Sequence, residues 1–398
     1  MPPCNLFFTL HHPAFLLNKN TSSDSCLGAR LSAAALRGVL GSLLTKNLSR
    51  QERPTPICIW GTHGLGKTEI AMELARERGW KFAYCAPAQF EEMGDLHGLP
   101  ERVNGALEKD GSGRTAYSPP EWVPTEAGPG ILLLDDINRA DDRILRGIMQ
   151  LLQHYEMFSW ALPPKWQIIA TANPDSGDYS VTAMDDAMLT RMLHLTLVFE
   201  AKPWAAWALT AGIDTRGIDF VLTYPEIVVG RRTTPRSLVQ FFTQIKDIPA
   251  LADSLDLVSV LAGGCLEEAT AGSFVRFVQD SLSRLPSPEE ILLAESPKDF
   301  LPRVRDLAAG TGGLRRMDLL STLSARIEME LRRASFQPSA NSAENLIEFL
   351  LCDVIPGDLR FALHRDLCSV SILPVPGART ANVACKDRRV ATAVLKMI

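Results

Sequence analysis

The feature that most constrains this chain is a glycine-containing turn between an apolar run and a helix-forming run. The run Ile57–Trp60 is short and stops at a glycine, which is typical of a buried strand. Four residues separate that glycine from a Gly-Lys-Thr triplet, and apolar residues then recur at helical spacing. Such a strand, loop and helix start form an anion site, because backbone N–H groups and the helix dipole face the ligand. The predicted phosphate loop and first helical turn comprise Gly61, Thr62, His63, Gly64, Leu65, Gly66, Lys67, Thr68 and Glu69.

Lys67 and Thr68 have distinct predicted roles in this loop. The Lys67 ammonium is expected to reach the β- and γ-phosphates of a nucleotide, and the Thr68 hydroxyl is expected to bind Mg²⁺. A chance match on an ordinary strand and helix is the alternative, and it is disfavoured because both flanks have the required pattern.

Two further apolar runs end in polar residues that suit the same chemistry. The aliphatic run Ile131–Leu134 predicts a central parallel strand, and Asp135 and Asp136 follow it directly. Asp135 is the predicted ligand of Mg²⁺ through water, and Asp136 is the predicted base or water-positioning carboxylate. The run 167–172 ends at Asn173, which either lies beside the attacking water or simply forms an Asn-Pro turn.

Strand and helix patterns alternate over residues 56–199, which predicts an α/β fold with a parallel sheet of five strands. Besides the three apolar runs described above, strands are predicted at 81–85 and 194–198. One amphipathic helix is predicted at 29–47. Polar residues 101–115 predict a surface loop. Met157 to Pro164 predict a small hairpin or loop with an apolar tip at Phe158 and Trp160, and residues after 202 predict a mainly helical region. Trp122 is either a packed loop anchor or an exposed aromatic that grips a partner.

Composition narrows the class of protein. The 398 residues are 46% hydrophobic, enough for two or three packed domains. A net charge of −5 gives no basic footprint for a nucleic-acid or membrane-surface partner.

The eight cysteines contain no C-x-x-C pair, which favours reduced thiols in the cytoplasm over disulfides or zinc. No apolar stretch is long enough to span a membrane, and the N-terminus has no signal-peptide pattern; it is predicted to be a tail.

Taken together, the motifs resemble an AAA+ ATPase of the MoxR-like, dynein-related group, from about residue 55 to about 300. The likeness rests on the phosphate loop, on the segment from Pro119 through Asp136 to Ala140, and on the strand before Asn173. It implies a P-loop core, a helical lid and a further helical region. The predicted division is 1–54 for a tail and helix, 55–200 for the core, 201–300 for the lid and 301–398 for the extension.

The resemblance also implies roles for two arginines and for partners. The segment Ala187–Met192 is similar to the family segment that carries an arginine finger, which places Arg191 toward a neighbouring subunit, although the spacing is one residue shorter. Thr233–Leu238 resembles the sensor-2 helix, which assigns Arg236 to the nucleotide. ATP and Mg²⁺ are the implied cofactors. A homo-oligomeric ring, most often a hexamer, and a protein client, often one with a von Willebrand factor A domain, are the implied partners.

One departure keeps a second hypothesis open. The family usually has Asp-Glu where this chain has Asp135-Asp136, and the shorter side chain of Asp136 predicts slow hydrolysis. The chain is therefore either a remodelling ATPase or a weakly hydrolysing, ATP-binding switch or scaffold. A DNA-acting AAA+ protein ranks below both because no basic stripe is present. A GTPase is disfavoured because no N-K-x-D motif follows the loop.

Overall fold

The computed structural model describes residues 27–50, 52–103, 114–174, 181–229, 231–279, 285–309 and 316–395. The chain divides into two compact units, residues 1–198 and 199–398. The predicted N-terminal tail lies almost entirely outside the described residues, as does the middle of the loop predicted at 101–115. The finer division into four domains stays a prediction.

The first unit is built on a six-stranded parallel sheet. Its order is β1-β10-β2-β9-β6-β3, and two small antiparallel ribbons, β4-β5 and β7-β8, accompany it. The strands are β1 Ala29–Leu31, β2 Ile57–Trp60, β3 Lys81–Cys85, β4 Leu99–Val103, β5 Arg114–Ser118, β6 Gly130–Leu134, β7 Glu156–Met157, β8 Trp160–Ala161, β9 Trp166–Ala172 and β10 Leu193–Leu197. The helices are α1 Ala33–Leu48, α2 Lys67–Glu77, α3 Met93–His97, α4 Asp142–His154 and α5 Asp186–Leu189.

Both faces of this sheet are covered, which explains the unbroken apolar runs of its central strands. In β2, Ile57 and Ile59 pack with α1 and α2, whereas Cys58 and Trp60 pack with α4 on the opposite face. This split follows from the alternation of side chains along a strand. Every residue of β2, β6 and β9 is buried, so these strands form a rigid base for the loops at their carboxyl ends.

The predicted five strands are all present, but the sheet has a sixth. Ala29–Leu31 was predicted to begin the first helix and instead pairs with β10 as an edge strand. The helix begins only at Ala33, after Ser32, whose hydroxyl accepts a hydrogen bond from the Ala35 N–H. Ala29, Arg30 and Leu31 do not have a sequence pattern typical of a strand. Their extended conformation therefore depends on pairing with β10.

Two other loop predictions can be compared with the structure. The predicted surface loop at 101–115 is wrong at its ends, because β4 and β5 pair there as an exposed antiparallel ribbon. The predicted hairpin after Met157 is confirmed, with β7 and β8 as its two strands. Phe158 at its tip is exposed, whereas Trp160 is buried. Trp122 packs edge-on against Trp160 and donates to the Asp95 carbonyl, so it is a loop anchor.

Among its described residues, the second unit contains helices joined by turns and loops, and no strand. Its helices are α6 Ala201–Thr210, α7 Thr215–Thr223, α8 Pro235–Ile245, α9 Leu255–Cys265, α10 Glu268–Gln279, α11 Pro288–Leu292, α12 Leu301–Ala309, α13 Met317–Arg332, α14 Ser342–Leu351, α15 Gly357–Val370, α16 Gly377–Lys386 and α17 Arg388–Leu395. An aromatic cluster centred on Phe220, Phe241 and Phe274 holds the first five of them together. A second cluster holds α11 to α17, and α13 contributes to both. No helix of the described residues is long and apolar enough to cross a bilayer.

Candidate nucleotide site

The sheet order brings the three predicted motifs to one edge. β2, β9 and β6 are adjacent and parallel, so their carboxyl ends lie side by side. The phosphate loop follows β2, Asn173 follows β9, and Asp135 and Asp136 follow β6. Three stretches separated widely in sequence therefore meet at one place, as a parallel sheet with these neighbours requires.

The phosphate loop has the backbone that its glycines permit. Gly64 and Gly66 have φ angles of 73° and 92°, in the region that side chains with a Cβ rarely adopt. Gly66 directly precedes α2, so the loop runs into the first turn of that helix, which includes Lys67, Thr68 and Glu69. Thr62 and Glu69 are exposed, while the loop's Leu65 packs against the apolar face of the sheet. The arrangement has the N–H groups and dipole direction of an anion site.

Lys67 is buried, and its ammonium is directed back toward the loop. Its Nζ donates to the Gly61 carbonyl at 2.7 Å, to the Thr62 carbonyl at 3.2 Å and to Asn173 Oδ1 at 3.0 Å. A buried ammonium requires such acceptors because its desolvation is costly. The contact with Asn173 connects the phosphate loop directly to the end of β9.

Asn173 also contacts the second carboxylate of β6. Its Nδ2 donates to Asp136 Oδ1 at 2.9 Å, and Arg139 Nη1 lies 3.6 Å from Asp136 Oδ2. The amide orientation follows from its partners, since an ammonium needs the oxygen and a carboxylate needs the nitrogen. Asn138 fixes the backbone of Asn173 through two hydrogen bonds of 2.7 and 3.0 Å. A continuous polar chain therefore runs from Lys67 through Asn173 to Asp136.

Asp136 adopts a backbone conformation that is uncommon for a residue with a Cβ. Its φ and ψ are both 48°, in the left-handed region, which costs roughly 1 kcal/mol or more relative to ordinary backbone. The Asp136 N–H donates to the Thr171 hydroxyl at 2.7 Å, so a neighbouring strand stabilises this conformation. The strained turn directs the Asp136 carboxylate toward Asn173.

Asp135 is held by three hydroxyl groups. Its Oδ1 accepts from Thr68 at 2.8 Å and from Thr171 at 2.7 Å, and its Oδ2 accepts from Tyr84 at 3.1 Å. A serine- or threonine-type hydroxyl beside a carboxylate is an all-oxygen donor set, which is what Mg²⁺ prefers. Thr68 and Asp135 therefore fit the ion that the resemblance implies. Burial, followed by the Asp135 carboxylate, raises the pKa of Tyr84 to about 12, so its phenol remains a donor.

Three residues of this network were not predicted from the sequence. Thr171 is one of two polar residues, with Gln167, in a strand that is buried throughout, and a buried polar residue was a usable signal. Tyr84 lies on β3, which pairs with β6, so its contact follows only from the sheet order. Asn138 had no signal beyond its place after the two aspartates.

The two predicted arginines lie in different units. Arg191 follows α5 in the first unit, where its Nε donates to Gln153 Oε1 at 3.1 Å and its Nη1 donates to the Ala187 carbonyl. Arg236 is exposed at the second position of α8 in the second unit, after the Thr234 cap. Arg191 thus makes its described hydrogen bonds to its own α4 and α5 region. The roles of both arginines stay predictions.

A histidine connects the base of the phosphate loop to the segment that carries Arg191. Trp60 Nε1 donates to His194 Nδ1 at 2.9 Å, which leaves the proton on His194 Nε2 to donate to the Leu189 carbonyl at 2.7 Å. Trp60 is the last residue before the loop, and Leu189 ends α5. These two hydrogen bonds link the end of β2 to the segment that carries Arg191.

Comparison with known proteins agrees with this geometry. The sequence model of the AAA domain, dynein-related subfamily, matches residues 56–192. Residues 56–192 are therefore similar to the ATPase domain of the AAA+ class. The match covers the phosphate loop, both aspartates, Asn173 and Arg191, so the resemblance to this class is confirmed over these residues. No curated protein matches the sequence.

Solved structures resemble the chain at low identity. One RuvB variant from Thermotoga maritima is 14% identical with a TM-score of 0.36, over 73% of this chain and 90% of its own. A second RuvB variant is 14% identical with a TM-score of 0.37, over 78% and 93%. A candidate ATPase from Cytophaga hutchinsonii is 11% identical with a TM-score of 0.29, over 74% of each chain. Likeness at this level supports no inference about the function of this chain.

The hydroxyl of Thr171 gives a prediction about metal affinity. Thr171→Val keeps the shape of a fully buried side chain but removes its bonds to Asp135 and to the Asp136 N–H. We expect the Mg²⁺ affinity to fall by about 10–100-fold, the usual cost of losing a group that orients a ligand. The measurement is the Mg²⁺ concentration that half-saturates ATP hydrolysis.

Thr196→Val is the matched control for this variant. Thr196 is also buried in the sheet, but its hydroxyl donates to the Leu27 carbonyl at 2.8 Å. Its Mg²⁺ dependence should equal that of the wild type. Equal Mg²⁺ dependence in Thr171→Val and Thr196→Val would contradict the proposed metal role of Asp135.

Proposed function

We propose that this AAA+ chain is a Mg²⁺-dependent ATPase of the MoxR-like group, which hydrolyses the β–γ phosphoanhydride of ATP at its phosphate loop. The observation that carries the proposal is the polar chain from Lys67 through Asn173 to Asp136. It connects the cation that would contact the γ-phosphate with the carboxylate that would position water. Hydrolysis requires both functions at one site, whereas nucleotide binding alone requires only the loop.

Each residue has a specific task in this proposal. Lys67 and the loop amides bind the β- and γ-phosphates, and Thr68 and Asp135 hold Mg²⁺. An ion held by Thr68 and Asp135 would neutralise negative charge that develops on the phosphates. Asp136 accepts the proton of the attacking water or orients that water, and Asn173 holds the Asp136 carboxylate in place.

The proposal includes a shared site between subunits. The described contacts of Arg191 lie on its own α4 and α5 region, which is consistent with a group that acts on a neighbouring nucleotide. Arg236, exposed at the start of α8, is the proposed lid contact to the ATP bound by Lys67 and Thr68 of its own chain. Both assignments rest on the resemblance. The Arg191 assignment also requires an oligomer, and a hexameric ring is the proposed form.

The cellular role is proposed from the same resemblance. ATP turnover would move the lid against the core and remodel a partner protein in a chaperone-like way, and a protein with a von Willebrand factor A domain is the proposed client. The cytoplasm is the proposed location, because the described cysteines are free thiols and several are buried. Nucleic acid is not a proposed partner, since the net charge is −5.

Asp136 supports a second candidate, an ATP-binding switch that barely hydrolyses. The aspartate is one methylene shorter than the usual glutamate, and a misplacement of about 1 Å can cost roughly a hundredfold in rate. In the structure, the left-handed turn and Asn173 determine where this shorter carboxylate lies. Whether that position suffices for hydrolysis distinguishes the two candidates.

Two substitutions of Asp136, one that removes its negative charge and one that lengthens its side chain, distinguish an ATPase from an ATP-binding switch. If the native site hydrolyses ATP, Asp136→Asn should lower turnover by about 10²–10⁴, the usual share of a general base, and Asp136→Glu should change it less than about tenfold. If the chain is a switch, wild-type turnover is at background and Asp136→Glu should raise it roughly a hundredfold. Steady-state phosphate release at saturating ATP and Mg²⁺ is the measurement. Nucleotide binding without turnover in the wild type and in Asp136→Glu would contradict the role of Asp136.

A further inference from the structure

A cluster of soft metal ligands lies on α15 and α16 of the second unit. His364 and Cys368 are four residues apart on α15, so they share one helix face, and Cys385 lies on the adjacent α16. One potential ligand atom from each residue lies within 4.8 Å of the other two. We call these three residues the His-Cys-Cys cluster.

The distances within this cluster match a tetrahedral zinc site. Zn–S and Zn–N bonds of about 2.3 and 2.0 Å at tetrahedral angles place two sulfurs about 3.8 Å apart, and sulfur and nitrogen about 3.5 Å apart. The Sγ atoms of Cys368 and Cys385 are 3.4 Å apart, and Cys368 Sγ lies 3.9 Å from His364 Nδ1. Each of these two distances is within about 0.4 Å of its tetrahedral value, and the ligand atoms of all three residues lie within 4.8 Å of one another. The sulfur separation is far longer than a disulfide bond of about 2.05 Å.

The histidine is oriented as a metal ligand requires. His364 Nε2 lies 3.3 Å from the Cys385 carbonyl, and a carbonyl can only accept, so the proton is on Nε2. The lone pair of Nδ1 then faces the Cys368 sulfur. Metal-binding histidines usually donate their second ring nitrogen to a carbonyl or carboxylate in this way, which fixes the tautomer and the ring.

We propose that the His-Cys-Cys cluster binds one Zn²⁺ ion, with Nδ1 of His364 and the two thiolates as ligands and water at the fourth position. Cys368 is exposed, so solvent can reach the open position. Binding releases the two thiol protons, since only thiolates ligate the metal. Thiolate and imidazole ligands select Zn²⁺ over Mg²⁺, whereas the oxygen donors at Thr68 and Asp135 select Mg²⁺. The ion would crosslink α15 to α16 and stabilise the second unit.

Metal titration of the full chain tests the proposal independently of ATP hydrolysis. The reduced, chelator-treated protein is titrated with Co²⁺, which reports thiolate ligation through charge-transfer absorption, and then with Zn²⁺, which should displace Co²⁺ at one ion per chain. Cys368→Ser and Cys385→Ser should each weaken binding at least about tenfold and lower the thiolate absorption at saturation. Zn²⁺ should raise the thermal midpoint of the wild type and not of these variants.

Cys265→Ser is the matched control, because Cys265 is a half-buried free thiol of the second unit outside the cluster. It should bind metal as the wild type does. Absence of thiolate absorption in wild-type protein that retains its helical circular dichroism would overturn the proposal, whatever the variants do. A protein that keeps Cys368 and Cys385 as a disulfide under mild reduction would also overturn it, and a count of reactive thiols detects that outcome.

Discussion

Lys67→Ala is expected to lower ATP turnover by about 10²–10³ or more, the usual cost of removing one group that stabilises developing charge in a closed site. Two effects add in this variant. The charge that contacts the phosphates is lost, and so are the hydrogen bonds from Nζ to Asn173 and to the loop carbonyls. Nucleotide affinity should fall together with turnover. Phosphate release and binding of a fluorescent ATP analogue measure the two effects separately.

Lys81→Ala is the control for Lys67→Ala. Lys81 is exposed at the start of β3, where it pairs with Glu126 and donates to the Ala127 carbonyl. An exposed pair of this kind contributes about 0–1 kcal/mol, so turnover and nucleotide affinity should stay near wild-type values. If Lys67→Ala hydrolysed ATP as fast as Lys81→Ala, the phosphate-loop assignment would be wrong.

Arg191→Ala is expected to have the largest effect on turnover, about 10³–10⁵, with nucleotide binding preserved. The reason is that an arginine finger contacts charge that forms only during phosphoryl transfer. The loss of the bond to Gln153 Oε1 is a minor structural change by comparison. Steady-state turnover and ATP affinity are the measurements. Arg146→Ala removes an exposed arginine of α4 that pairs with Asp142, and it should leave both unchanged.

Mixing two inactive variants tests whether Arg191 acts between subunits. An Arg191→Ala subunit keeps its phosphate loop, and a Lys67→Ala subunit keeps its Arg191. In random oligomers, about a quarter of the interfaces would combine an intact loop with an intact finger, so the mixture should regain activity that neither variant has alone. A mixture that stays inactive, although each variant assembles as the wild type does, would contradict a finger supplied by the neighbour.

The core of the fold could be predicted because its strands are buried on both faces. Ile57–Trp60 and Ile131–Leu134 are unbroken apolar runs, and the structure forms buried parallel strands from both. The location of the candidate site could be predicted from these strands, because parallel strands end at the same edge of the sheet. Edge elements could not be predicted in this way. Ala29–Leu31 depends on pairing with the distant β10, and β4 and β5 depend on pairing with each other, while the local sequences of all three strands are neutral or polar.

The side-chain contacts within the candidate site could likewise be predicted only in part. The sequence placed Lys67, Asp136 and Asn173 at one edge, and the structure brings all three into one hydrogen-bonded chain. It did not indicate that Thr171 bridges the two aspartates or that Tyr84 reaches Asp135. Those contacts depend on strand order and register, which connect residues far apart in sequence. For the second unit, the sequence predicted a mainly helical region but not the bounds of the helices after residue 357, which pack into the core that α11 to α17 share.

The measurement that tests the central claim most directly is steady-state ATP hydrolysis with Mg²⁺ across a range of protein concentrations. A shared-site ATPase predicts turnover per subunit that rises with concentration until assembly is complete, because the neighbour supplies Arg191. It also predicts that Lys67→Ala and Arg191→Ala stay at background throughout. Nucleotide binding with background turnover at every concentration would contradict the claim and would leave the ATP-binding switch as the better account of Asp136.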